Sequence, residues 1–100
     1  MPKLAPLHPG EVLREEFMEP MGLTAYALAK AIHIERPRLE RITREENGIS
    51  ADTALRLAKY FGTTPEFWMN LQARYELEEA AQEIGDDLDE IDEATVPKYG

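Results

Sequence analysis

Between Ala25 and Ile42 the chain reads AYALAKAIHIERPRLERI, and its apolar positions describe two short helices joined by a tight turn. Leu28, Ala29 and Ile32 fall at i, i+3 or i+4 spacing, Ile34 follows just past a break, and Leu39 and Ile42 resume the helical period. The first of these helices needs a small residue where the second crosses it, and Ala29 supplies one.

The same reading extends in both directions. Pro9 suits the first turn of a helix over about Gly10 to Met18, with Leu13 and Phe17 on its inner face and Pro20 and Gly22 ending it. Thr24 is placed to cap the second helix, Thr24 to Ile32. The turn His33, Ile34, Glu35 leads into a third helix, which starts between Glu35 and Pro37, since proline fits only its first turn. His33 stands where the turn demands a left-handed residue, a conformation histidine tolerates better than most. Ser50 caps a fourth helix whose core stripe is Ala54, Leu57, Ala58 and Phe61, and Gly62 stops it. Thr64, Pro65 and Glu66 open a fifth helix bearing Phe67, Trp68, Leu71 and Tyr75. Beyond Tyr75, Leu77, Ala81, Ile84, Leu88 and Ile91 continue at 4, 3, 4, 3 spacing, a seam of coiled-coil type. It is dense in carboxylates and interrupted by Gly85, so helix is expected to about Ile84 and a disordered or partner-ordered tail after it. No run alternates with period two. The fold class is therefore all-α, five helices in one domain.

Composition narrows the function. The 100 residues fit one domain, and the absence of cysteine excludes a disulfide framework, a thiol nucleophile and a thiolate metal site. No segment approaches the roughly 18 apolar residues of a membrane span, and the N-terminus lacks a secretory core, so a cytoplasmic protein with no membrane partner is expected. The net charge of −9 is unevenly distributed: residues 1–74 hold ten Lys/Arg and ten Asp/Glu, whereas residues 75–100 hold one lysine and ten acids. The body is near neutral, and the acidic end would be repelled by DNA or would serve a basic partner.

The chemistry-bearing residues lie on the third helix. Arg36, Arg38, Arg41 and Arg44 give an acidic protein a local cluster of guanidinium forks, the side chain that reads the N7 and O6 acceptors of guanine. Arg36 and Arg41 are the main candidates for base contacts, with Pro37 and Glu40 beside them. Arg38 and Arg44 project more to the flanks and, with Thr24 and the amide at its helix start, are candidates for phosphate. A competing account pairs Arg36, Glu40 and Arg44 at i, i+4, i+8 within the helix. Phe67, Trp68, Leu71 and Tyr75 carry more aromatic surface than one small core absorbs, and are candidates for a homodimer contact, with a core role for Trp68 as the alternative. His8 and His33 have no ligand-like partners, and no Ser/His/Asp pattern, phosphate loop or HExxH occurs, so neither metal, cofactor nor catalytic site is expected.

With these residues in hand, HPGEVLREEF, YALAKAIHIERPRLERI and above all ISADTALRLAKYFGTTPEFWMNLQARYEL resemble the HigA antitoxin family of Xre/Cro-like regulators, from about His8 to Leu77. The resemblance implies a lambda-repressor-like helix-turn-helix domain with an extended C-terminal helix and acidic tail. The expected division is an arm over 1–8, the DNA-binding domain with a dimerising fifth helix over 9–84, and the tail over 85–100. It further implies a type II antitoxin that binds double-stranded operator DNA as a homodimer, represses its own operon and neutralises a HigB/RelE-like mRNA endonuclease toxin. A stand-alone Xre-family regulator, or a toxin-inhibiting module with weak DNA affinity, are the alternatives. The sequence departs from the family pattern at His33, where glycine is usual, and at Arg44 and Glu45, which replace an Asn-Gly closing the third helix.

Overall fold

A computed structural model describes residues 5–95, and these are helical and connecting segments only. Helix α1 (Pro9–Val12) runs into a π-helical stretch, Leu13–Met18, and α2 (Ala25–Ile32), α3 (Arg36–Thr43), α4 (Ala51–Phe61) and α5 (Pro65–Asp89) follow. The starts are set by side chains that accept the otherwise unpaired first amides. His8 Nδ1 accepts from Gly10 N, Thr24 Oγ1 from Ala27 N, Ser50 Oγ from Thr53 N, and Thr64 Oγ1 from Phe67 N. Pro9, Pro37 and Pro65 occupy first turns, where the missing N–H costs nothing. The stops are left-handed residues, His33 (φ 61°) after α2 and Gly62 (φ 73°) after α4. Histidine thus fills the position the turn demanded.

The core is one cluster. Leu13, Leu28, Leu39, Ile42, Leu57 and Trp68 are fully buried, and each leucine contributes about 1.5–3 kcal/mol over its exposed state. The α2 helix lies on α3 and α4, α5 lies along α4, and α1 meets both α3 and α5. Phe17 closes one end, its ring 4.9 Å from that of Phe61 and 5.0 Å from that of Trp68.

Three expectations change. The first helix is not regular throughout: Glu19 N bonds to Arg14 O at 2.9 Å, five residues back. That spacing brings Met18 under Leu13, so both join the buried face. Trp68 is 0% exposed within a single chain, ringed by Phe17, Phe61 and Phe67, with Nε1 donating to Thr63 Oγ1 at 2.8 Å. It therefore has no surface to give a second copy, and its role is the core. The fifth helix runs on to Asp89 instead of ending near Ile84. The expected interruption survives as a single break in helical geometry at Ile84 (φ −113°, ψ 16°), just before Gly85, after which the seam continues through Leu88. Residues 1–4 of the expected arm and 96–100 of the expected tail lie outside the described residues.

Candidate nucleic-acid interface

The arrangement of α2, turn and α3 leaves one face of α3 open. Leu39 and Ile42 point into the core, and the exposed positions are Arg36, Pro37, Arg41 and Arg44. Pro37, Arg41 and Arg44 fall at i, i+4, i+7, opposite the buried pair, so they form one outward stripe. Arg44 is thus on the outward face and not on the flank where the sequence placed it. Arg36 stands to one side, its Nε donating to Glu40 Oε2 at 3.2 Å. The competing intrahelical account is met for this pair alone, since among the described residues Glu40 and Arg44 form no ion pair. In the amide orientation its neighbours require, Asn47 accepts from Arg41 Nε at 3.1 Å, which steadies the stem of Arg41 at the end of the stripe.

Arg38 is committed elsewhere. Its Nη2 donates to Thr53 Oγ1 at 2.7 Å and to Ser50 Oγ at 3.1 Å, and lies 3.8 Å from Asp52. Thr53 is fully buried, so the guanidinium ties α3 to the start of α4 and satisfies a hydroxyl inside the fold. Thr24 is exposed at the start of α2, its Oγ1 accepting from Ala27 N at 3.1 Å. Tyr26, in the same turn, is 59% exposed. The sequence reading passed over Tyr26 because a lone aromatic among alanines gives no pattern.

Two further arginines set the geometry from behind. Arg14, on the π-helical stretch, donates through Nη1 to Thr43 O at the end of α3 and pairs with Glu15 at 2.9 Å and Glu45 at 3.4 Å. Arg56, on α4, donates through Nη1 to Ile32 O at 2.9 Å and His33 O at 3.2 Å, with Nε on Asp52 at 2.8 Å. Each cation thus meets the carbonyl end of one helix of the motif, where the helix dipole favours positive charge. The α3 helix closes with Glu46 N on Arg41 O (2.8 Å) and Glu45 N on Ile42 O (3.0 Å), a Schellman motif. That motif holds Glu45 at φ 64°, where glycine belongs. Against the outward arginines, Glu45 and Glu46 place two exposed acids at the exit of the helix.

Of the dimer candidates, Phe67 is 37% exposed and Leu71 and Tyr75 are half-buried. They share one stripe at i, i+4, i+8. Tyr75 packs edge-on against His8 with centroids 4.6 Å apart, and its hydroxyl bonds to Glu79 at 3.1 Å. Burial holds the His8 imidazole below its ordinary value of 6.5, against the opposing pull of Glu45 and Glu79. Among the described residues no group of acidic or histidine side chains is placed to hold a metal ion, and no helix is long and apolar enough to cross a membrane.

This geometry agrees with known proteins. A helix-turn-helix family model matches residues 15–68. Virulence-associated protein I of Dichelobacter nodosus is 54% identical over 77% of this chain and 71% of its own length. Antitoxin HigA-1 of Vibrio cholerae is 42% identical over 75% of this chain and 70% of its own. The structure of the Pseudomonas aeruginosa antitoxin HigA with the higBA promoter is 43% identical, with a TM-score of 0.86 over 91% of this chain and 99% of that one. The chain belongs to the helix-turn-helix family of Xre-like regulators, among the relatives that include the HigA antitoxins, a family of regulators and not of enzymes.

Proposed function

We propose that this chain is an antitoxin and transcriptional autorepressor acting in the cytoplasm, which binds its operator as a homodimer and neutralises a HigB/RelE-like mRNA endonuclease toxin. The observation that carries the DNA-binding half is the outward stripe Pro37, Arg41 and Arg44 on a helix braced at both ends by Arg38 and Arg14. In this reading α3 enters the major groove, with Arg41 as the principal base contact and Arg36, Pro37 and Glu40 beside it. Thr24, Arg44 and the first amides of α2 hold phosphate, and Tyr26 adds a hydroxyl donor. Phe67, Leu71 and Tyr75 form the contact between copies, which sets two recognition helices about 34 Å apart on a palindrome. The toxin half rests on the likeness to HigA proteins and on the acidic C-terminal quarter, which suits a basic partner.

The Arg36–Glu40 pair and the exposed acids Glu45 and Glu46 favour one second reading, a toxin-inhibiting module with weak DNA affinity. Gel-shift titration of the DNA upstream of its own gene, at two salt concentrations, separates the two. Specific binding that falls steeply with salt supports the repressor, because displaced counterions report phosphate contacts. Arg41→Ala should then cost about 1–3 kcal/mol and relax base preference, while Arg44→Ala should weaken all sequences alike and lower the salt slope by about 1. Equal affinity for operator and random duplex would refute the repressor. Purification with the product of the adjacent gene tests the toxin half, and no complex with a small basic neighbour would refute that part alone.

A further inference from the structure

A cleft of about 470 Å3 opens between the end of α2 and the middle of α4, and no residue of α3 lines it. Its wall is apolar, formed by Ile32, Leu55 and Tyr60, and its rim is basic, formed by His33, Arg56 and Lys59. Leu55 and Tyr60 are 59% and 41% exposed, although α4 already buries Ala54, Leu57 and Ala58 on its other face and needs neither for the core. Leu55 with Lys59, and Arg56 with Tyr60, stand four residues apart, so one side of α4 carries two large apolar and two cationic side chains together.

The cleft is held in shape by its own residues. The Tyr60 ring packs edge-on against Phe61 with centroids 5.0 Å apart. Arg56 donates through Nε to Asp52 Oδ1 at 2.8 Å and through Nη1 to the carbonyls of Ile32 and His33, which leaves Nη2 without a bond among the described residues. Asp52 also lies 3.8 Å from Arg38, so one carboxylate is shared by two guanidinium groups and the three together stay positive. Lys59 makes no ion pair among the described residues. His33 is kept at φ 61°, a left-handed backbone that costs a side chain energy, at an exposed place on the rim. Strain retained at the mouth of a cleft points to a use for it.

We infer that this cleft binds a small amphipathic carboxylate, an aliphatic chain ending in one carboxylate group. Its volume lies within the roughly 300–1,000 Å3 of small-molecule sites, which join an apolar lining to a few fixed polar groups that orient the ligand. The chain of the ligand lies against Ile32, Leu55 and Tyr60, and its carboxylate accepts from Arg56 Nη2 and Lys59 Nζ, bonds strengthened by charge on both partners. A purely polar anion would leave the wall in water, and a cation would meet like charge on the rim. The acidic segment of the same chain does not take this place: α5 stays helical to Asp89, and Leu88 and Ile91 stand 46% and 70% exposed. The site depends on neither DNA nor toxin binding.

Heteronuclear NMR titration of the full chain with decanoate tests this, with acetate and decylammonium as controls. Decanoate should give saturable shifts at the amides of Ile32, His33, Leu55 and Lys59, with a Kd of about 0.1–1 mM for a ligand of its size. Acetate lacks the apolar chain and decylammonium reverses the charge, so neither should shift these amides. Lys59→Glu and Leu55→Ser, both at exposed positions, should each weaken decanoate by about tenfold, whereas Lys59→Arg keeps the charge-assisted bond and should leave the Kd unchanged. No saturable shift at the cleft, equal shifts from either control, or a Kd insensitive to Lys59→Glu would each overturn the inference. A Kd that tightens when Leu88→Ser and Ile91→Ser are introduced would assign the cleft to the acidic segment, and one that weakens as protein concentration rises would assign it to a second copy. Either result would equally overturn it.

Discussion

Replacing Gly10 with alanine sets two physical effects against each other with opposite signs. Gly10 sits in the first turn of α1, where helix propensity alone favours alanine by about 1 kcal/mol. Packing opposes it. A Cβ at this position would stand 1.9 Å from Ile42 O, 2.9 Å from the Ile42 carbonyl carbon and 3.0 Å from His8 Nδ1. The first two atoms are backbone at the end of α3, so no rotamer change relieves them, and the two helices must separate toward the roughly 3.5 Å of an ordinary contact. Separation weakens the Arg14 bond to Thr43 O and disturbs the cap that His8 Nδ1 makes with Gly10 N at 2.9 Å. Overpacking of this kind costs about 1–3 kcal/mol, and each weakened hydrogen bond adds about 1 kcal/mol. After the gain in propensity, a net loss of about 2–4 kcal/mol remains, which lowers Tm by about 8–32 °C in a domain of this size. Thermal unfolding followed by circular dichroism reads this directly. A Tm equal to or above that of the unmodified chain would mean that α1 does not rest on α3 at this closeness.

Glu45→Gly should do the opposite. Glycine removes a left-handed cost of about 1 kcal/mol, while the lost pair with Arg14, partly exposed at 3.4 Å, was worth little; Tm should rise, and a fall would show that the Schellman geometry is not what holds Glu45. For His8, burial favours the neutral ring, so the unfolded chain takes up the proton first as pH falls below about 6.5. Stability should therefore be full above that value, decline as pH drops toward the lowered folded pKa, and level off below it. His8→Asn keeps an acceptor at the cap and should remove this component, so the difference between the two urea-stability profiles should close toward acid pH. Parallel profiles from pH 8 to 5 would refute the assignment.

Most of the fold was legible because its punctuation is local. Thr24, Ser50 and the Thr64–Pro65 pair each act within three residues of themselves, and Gly62 and His33 mark stops by their own backbone. What escaped depends on partners far along the chain. Arg38, Arg41 and Arg44 look alike in sequence, yet Arg38 is claimed by Thr53, fifteen residues on, and only Arg41 and Arg44 remain outward. Arg14 reaches Thr43 across twenty-nine residues and Arg56 reaches Ile32 across twenty-four, with no periodicity to announce either. Trp68 was ambiguous for a different reason: whether its indole N–H can be buried depends on Thr63 standing at the right angle, which composition does not reveal.

The arginine clamps have a consequence for how such a regulator diversifies. Arg14, Arg38 and Arg56 act on main-chain carbonyls, hydroxyls and the carboxylates of Glu15, Glu45 and Asp52, none of which belongs to the outward stripe of α3. The mounting and the reading surface are therefore separable by mutation. In the proposed reading, substitutions at Pro37 or Arg41 retune which DNA is preferred and those at Arg44 only how tightly it is held, while the helix stays at the same angle and depth. A lineage carrying these clamps can change operators one side chain at a time without passing through an unfolded intermediate.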